Sequence, residues 1–208
     1  MSETTGRRER KKAQTRKALA DAALRLFTER GFDAVGVRDV AEAADVAVTT
    51  LFKHFPSKES LVFDEEEGRE AALVAAVRDR APGRSVLHAL RDHLTHTAVV
   101  VGRDTPEFAG FTALVDSAPA LQEYMHRMWL RHEKALVAAL TEATGAPEDD
   151  VRTAALARFV MESPSLVRGR ADPRKALHEV FDLLENGWEH PPSRPRRGQG
   201  PPRNRQEG

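Results

Sequence analysis

Apolar residues recur every three to four positions along most of this chain, the period of a helix with one buried face. Leu19, Ala22, Ala23, Leu26 and Phe27 form the first such stripe and predict a helix over 15–30, ended by Gly31 as a left-handed cap. Val37, Val40, Ala41 and Ala44 form a second stripe. Leu51 and Phe55, four residues apart, anchor a third helix over 48–55 that Pro56 stops. Ser57 is placed to cap a fourth helix running toward Arg80, with Glu59 at its positive dipole end and a bend at Gly68. Further helices are predicted near 84–101, 105–116, 119–144, 148–162 and 173–188. Breaks fall at Pro82-Gly83, 102–106, Pro119, 145–147 and 164–173. No period-two strand pattern appears, so the fold class is all-α: a three-helix N-terminal head and a larger helical C-terminal domain.

Residues 36–61, GVRDVAEAADVAVTTLFKHFPSKESL, carry the most information. Two short helices meet across a tight turn at Asp45 and Val46, and small Ala41 lets them cross closely. Val48, Thr49, Lys53 and His54 are left pointing outward. This is the layout of a helix-turn-helix, whose second helix enters the DNA major groove.

Residues 15–62, TRKALADAALRLFTERGFDAVGVRDVAEAADVAVTTLFKHFPSKESLV, resemble the head of the TetR family of bacterial regulators, with ALRLFTERGFDAV and TLFKHFPSKE the most specific pieces. The resemblance implies a sequence-specific transcriptional regulator, a repressor that leaves a palindromic operator when a small apolar or amphipathic effector binds its C-terminal domain. By position it implies phosphate contacts from Thr15, Arg16, Thr50, His54 and Lys58. It implies base contacts from Val48, Thr49 and Lys53, and a base or backbone contact from Arg38, unless Arg38 pairs with Asp39 or Glu42. Lysine suits guanine O6 or N7, and Thr49 or Val48 a thymine methyl.

Four positions depart from the family's habit. Asp45 stands where Gly is usual, and Asp tolerates the left-handed conformation better than most residues. Ala47 and Gly36 stand where Ser or Thr commonly cap the two helices, and Phe52 replaces a Tyr, removing one hydroxyl.

Charge refines the picture. The 208 residues sum to zero, yet residues 1–20 carry +5, 21–60 carry −2, 61–186 carry −6 and 187–208 carry +3. Basic ends flank an acidic body, which suits phosphate binding by a local patch. Residues 1–12 are expected to be a disordered basic arm that either grips the DNA backbone or minor groove or only solvates the end. Residues 189–208, rich in Pro, Arg and Gly, are expected to be a disordered tail. The head spans 13–60 and the effector and dimerisation domain 61–188.

In that domain the resemblance implies an effector pocket between the fourth and eighth helices, with Phe63, Phe108, Phe111, Met125, Met128, Trp129, His132 and Met161 as lining candidates. It also implies a homodimer through the last two long helices, with Leu156, Phe159, Val160, Leu177, Val180, Phe181 and Leu184 at the interface or, on the simpler reading, in the chain's own core.

Other chemistry has little support. There is no cysteine, and no G-x-S-x-G, GxxxxGK[ST] or HExxH, so no enzyme is expected and no cofactor is implied. His88, Asp92 and His96, with His93 nearby, could form a zinc or nickel stripe, giving a metal-binding or metal-responsive protein as the alternative. The apolar residues of that helix place the stripe toward solvent. An architectural DNA binder without effector is the other rival, and the large apolar, Met-bearing body argues against it. No secretory signal or apolar run of membrane length is present, so a cytoplasmic protein is expected.

Overall fold

Several of the described helices end at a glycine or just before a proline that interrupts an apolar stripe. In the computed structural model, which describes residues 2–97, 105–167 and 169–187, the order is α1 (Ser2–Arg30), α2 (Val37–Ala43), α3 (Val48–His54), a 3-10 turn (Glu59–Leu61), α4 (Glu66–Arg78), α5 (Val86–His96), α6 (Pro106–Ser117), α7 (Pro119–Thr144), α8 (Val151–Leu166) and α9 (Pro173–Asn186). Among the described residues the protein is all-helical.

Gly31 closes α1 at φ 87°, its N–H donating to Phe27 O at 2.9 Å. Gly145 closes α7 at φ 67°. Side chains open the later helices: Ser85 accepts from His88 N, Thr105 from Phe108 N, Asp150 from Arg152 N and Thr153 N, and Asp172 from Lys175 N. Each satisfies a donor that the first turn leaves unpaired.

Two apolar cores result. The first gathers Leu19, Leu26, Phe27, Phe32, Val35, Val40, Leu51, Phe55 and Leu61 from α1–α3, and continues through Phe63 into Leu114, Val115 and Leu121 of α6 and α7. The head's core is therefore not sealed at residue 60. The second joins Leu73 and Val77 of α4, Leu90 and Leu94 of α5, Leu136 and Leu140 of α7, Val160 of α8, and Leu177 and Phe181 of α9.

Several expectations need correction. Residues 2–12, expected to be disordered, continue α1. Arg, Lys, Glu and Gln are good helix formers, and lone Gly6 does not outweigh them. Ser57 caps only the 3-10 turn, its Oγ accepting from Ser60 N at 3.3 Å. α4 begins instead at Glu66, so Gly68 lies in its first turn and no mid-helix bend is needed. Pro164 does not end α8, which runs to Leu166 with Pro164 buried inside it.

Val160, Leu177 and Phe181 were dimer candidates, but each is fully buried within the chain, and Leu156, Val180 and Leu184 pack against the same core. A partner cannot reach side chains already enclosed; of the seven, only Phe159 is largely exposed, at 56%. The expected helix residues 98–101 and the tail 189–208 lie outside the described residues. No described helix is long and apolar enough to cross a membrane.

Candidate nucleic-acid interface

The turn between α2 and α3 depends on one strained residue. Asp45 sits at φ 52°, the only non-glycine with positive φ among the described residues. That kink lets Val46 N–H donate to Ala41 O at 2.9 Å and sends the chain into α3. Ala47 caps α3 in extended geometry (φ −69°, ψ 146°) but offers no side-chain acceptor. Gly36, at the start of α2, also lacks a cap; its own N–H donates to Asp39 Oδ2 at 2.6 Å, so half of a capping box survives.

Leu51 and Phe55 are buried on the inner side of α3, and this decides what faces out. Thr49, Phe52 and Lys53 are exposed and share one face, with Phe52 50% exposed. Val48, expected to read a base, is half-buried against the head core. Arg38 is exposed on α2 and makes no ion pair among the described residues; Asp39, its expected alternative partner, is engaged by Gly36 N–H. Thr15 and Thr50 are half-buried.

Two expected phosphate ligands are occupied inside the protein. Arg16 donates through Nε to Asp64 Oδ1 (2.6 Å), through a terminal nitrogen to Asp64 O (2.9 Å), and through the other to His54 O (2.7 Å). Its guanidinium also lies 4.5 Å from the Phe55 ring centroid. It ties α1 to the end of α3 and to the turn that precedes α4. Lys58 turns inward as well. Its Nζ donates to Phe32 O at 2.6 Å and lies 4.1 Å from the Phe32 ring centroid. Burial pushes its pKa down, against the pull of Asp33, Glu59 and Asp39.

His54 is half-buried, and its Nδ1 has no hydrogen-bond partner. Burial pushes its imidazole below the ordinary value, and the charges of Arg16 and Lys12 push the same way. Lys12 was not among the sequence candidates. Its signal was its spacing, one helical turn before Arg16.

The effector candidates do not gather around one point. Phe63 stacks on Tyr124 (centroids 5.2 Å) and meets Phe111 edge-on (5.7 Å), and Phe108 lies 6.2 Å from Phe111. Phe63, Phe111, Met125 and Met128 belong to the first core, whereas Trp129 and Met161 belong to the second. Polar groups line the α4–α7 seam between them. Tyr124 Oη donates to Glu66 Oε2 at 2.8 Å and Arg131 pairs with Glu66. Burial and that carboxylate push Tyr124 up to about 12. His132, buried, has no partner for Nε2, with Glu70 Oε2 3.7 Å away; burial holds its pKa below 6.5 despite Glu70 and Glu66.

The His88, Asp92 and His96 stripe is engaged otherwise. Asp92 pairs with Arg84, His88 Nδ1 lies 2.8 Å from Ser85 Oγ and 3.4 Å from Glu185, and His96 Nδ1 lies 2.6 Å from Asp92 O. No group of three metal-ligating residues forms among the described residues.

Residues 19–64 match the model of the family described as bacterial regulatory proteins, tetR family. The HTH-type transcriptional repressor KstR of Mycolicibacterium smegmatis is 46% identical over 68 residues, 33% of each chain. The HTH-type transcriptional regulator TcmR of Streptomyces glaucescens is 36% identical over 85 residues, 41% of this chain and 38% of that one. The chain thus matches about a third to two fifths of the length of these relatives. Among solved structures, NalD of Pseudomonas aeruginosa shares the fold at a TM-score of 0.57 and 19% identity, covering 85% of this chain and 96% of that one. GusR of Salmonella enterica does so at 0.52 and 23%, covering 83% and 96%. The likeness to the tetR family of bacterial regulatory proteins thus lies in the N-terminal head, residues 19–64.

Proposed function

We propose that this protein is a sequence-specific DNA-binding transcriptional repressor. The observation that carries the reading is α3, held by Leu51 and Phe55 with Thr49, Phe52 and Lys53 exposed on one face, while Arg38 of α2 is exposed as well. Lys53 donates to a guanine edge, and Thr49 and the Phe52 ring meet thymine methyls. Thr15 and Thr50 flank this surface as phosphate donors. Arg16 and Lys58 position it from behind.

The remaining assignments complete the same reading. Residues 13–60 form the DNA-binding head and 61–188 the effector and dimerisation domain. A homodimer pairs through α8 and α9, using Phe159, Leu166 and Val151 of α8 and Leu183 of α9, the large apolar side chains these helices leave exposed. Such a dimer sets two α3 helices about one DNA turn apart and calls for a palindromic operator. An apolar or amphipathic effector enters beside the α4–α7 seam, where Tyr124, Glu66, Arg131 and His132 supply polar handles to Phe63, Phe111, Met125 and Met128. Since α4 also follows Asp64, the residue that Arg16 grips, a shift of α4 reaches α3 directly, and effector and operator weaken each other by one factor.

Selection of binding sites from a random duplex library tests the reading. Enrichment of a palindrome with arms one helical turn apart supports it. A library that stays random sinks it.

A further inference from the structure

α1 does not stop at the head. Its residues 6–14 are all exposed, so the helix projects beyond the core that holds Leu19. Helical spacing of 100° per residue sorts its charges into two rows. Arg8, Lys12, Thr15 and Leu19 lie on one side, and Leu19 is fully buried against the head. That side therefore faces the head core. Arg10, Gln14, Lys17 and Asp21 lie on the opposite side, where Lys17 and Asp21 pair in solvent at 2.6 Å. Lys12 is close enough to His54, at the end of α3, to be felt there electrostatically.

We propose that Arg8 and Lys12 form a second phosphate-binding row that prolongs the α3 surface along the DNA backbone, beyond the helix-turn-helix itself. The inference rests on the DNA-binding role proposed above. The partner is duplex DNA because Arg16, one turn on from Lys12, holds the end of α3 at His54 O, and because both charged groups on the row are basic: the neighbouring Glu9 projects 60° to 100° away from both. The row reads no sequence. It adds two phosphate contacts and takes the place of the cations, Arg16 and Lys58, that the head uses internally.

The test compares R8A/K12A with R7A/R10A, two exposed double variants of equal charge, by affinity for the selected operator at 50 and 200 mM salt. Two lost contacts lower the salt slope by about 1.8, so the ratio of wild-type to R8A/K12A affinity falls by about tenfold over that range. The operator preference over random DNA stays the same. R7A/R10A keeps a slope near the wild-type value. Equal losses in both variants overturn the assignment in favour of general electrostatic attraction. An unchanged R8A/K12A overturns it in favour of a solvated arm or an acidic protein partner. Circular dichroism and melting confirm that both variants fold as wild type. If wild type itself selects no operator, the DNA-binding reading fails first, and the two failures are distinct.

Discussion

Ala47 and Asp45 show how single residues set the quality of the turn between α2 and α3. Ala47 has cap geometry and no cap atom, so Ala47→Ser supplies an acceptor to α3 at no backbone cost. The expected gain is about 1 kcal/mol, or roughly 2–4 °C in melting temperature; an unchanged melt counts against the cap assignment. Arg16 works in the opposite direction. Arg16→Ala removes three hydrogen bonds and the Phe55 contact. Because the Arg16 and Asp64 side chains are 33% and 28% exposed, the loss is about 1–2 kcal/mol. Operator affinity falls with it through misplacement of α3, while the salt slope keeps its wild-type value. A lower slope would return Arg16 to the phosphate contacts.

Three imidazoles, His54, His93 and His132, are held below their ordinary pKa of 6.5 chiefly by burial. The unfolded chain takes up these protons near pH 6.5, and the folded chain only at lower pH. Stability is therefore unaffected by them above 6.5 and falls as pH drops below it. His132, facing Glu70, Glu66, Arg131 and Arg69, contributes part of this fall. Thermal melts of His132→Leu between pH 7.5 and 5 are expected to show a shallower decline than wild type. A parallel decline would remove His132 from the account.

At the scale of elements, the proposed function gives discrimination to α3 and position to its neighbours. Thr49→Ala with Lys53→Ala is expected to erase the preference for operator over random duplex while the head still melts cooperatively. Each lost base contact is worth about 1–3 kcal/mol. Retained preference would move the reading surface to α2. The boundaries of these elements were largely legible in the sequence. Gly31, Asp45, Pro56, Gly145 and the apolar stripes act within a turn or two of where they stand. The start of α4 was not, because Ser57 is a good cap whose turn is taken by Ser60. Pro164 misled for a related reason: proline costs helix stability, but here it is buried in the last turns of α8, where packing holds it.

For the whole molecule, assembly is the decisive quantity. Phe159 at 56%, Leu166 at 58% and Val151 at 75% exposure leave an apolar face on α8 that the described residues do not cover. Phe159→Glu is expected to shift sedimentation from dimer to monomer at micromolar concentration and to weaken operator binding strongly, since two heads no longer bind as one. A dimer that survives the substitution would place the interface elsewhere.

Local pattern was enough for the all-helical class, the helix-turn-helix, the missing caps and the strained Asp45, because each depends on residues three or four apart. Only the tertiary structure decided which cations are free. Arg16 finds Asp64 48 positions away and Lys58 finds Phe32 26 positions away, and no periodicity records such partners. It also decided which side of each amphipathic helix is enclosed. Val160 and Phe159 are adjacent in sequence and equally apolar, yet one is sealed and the other left open, since burial depends on what the fold brings opposite each of them.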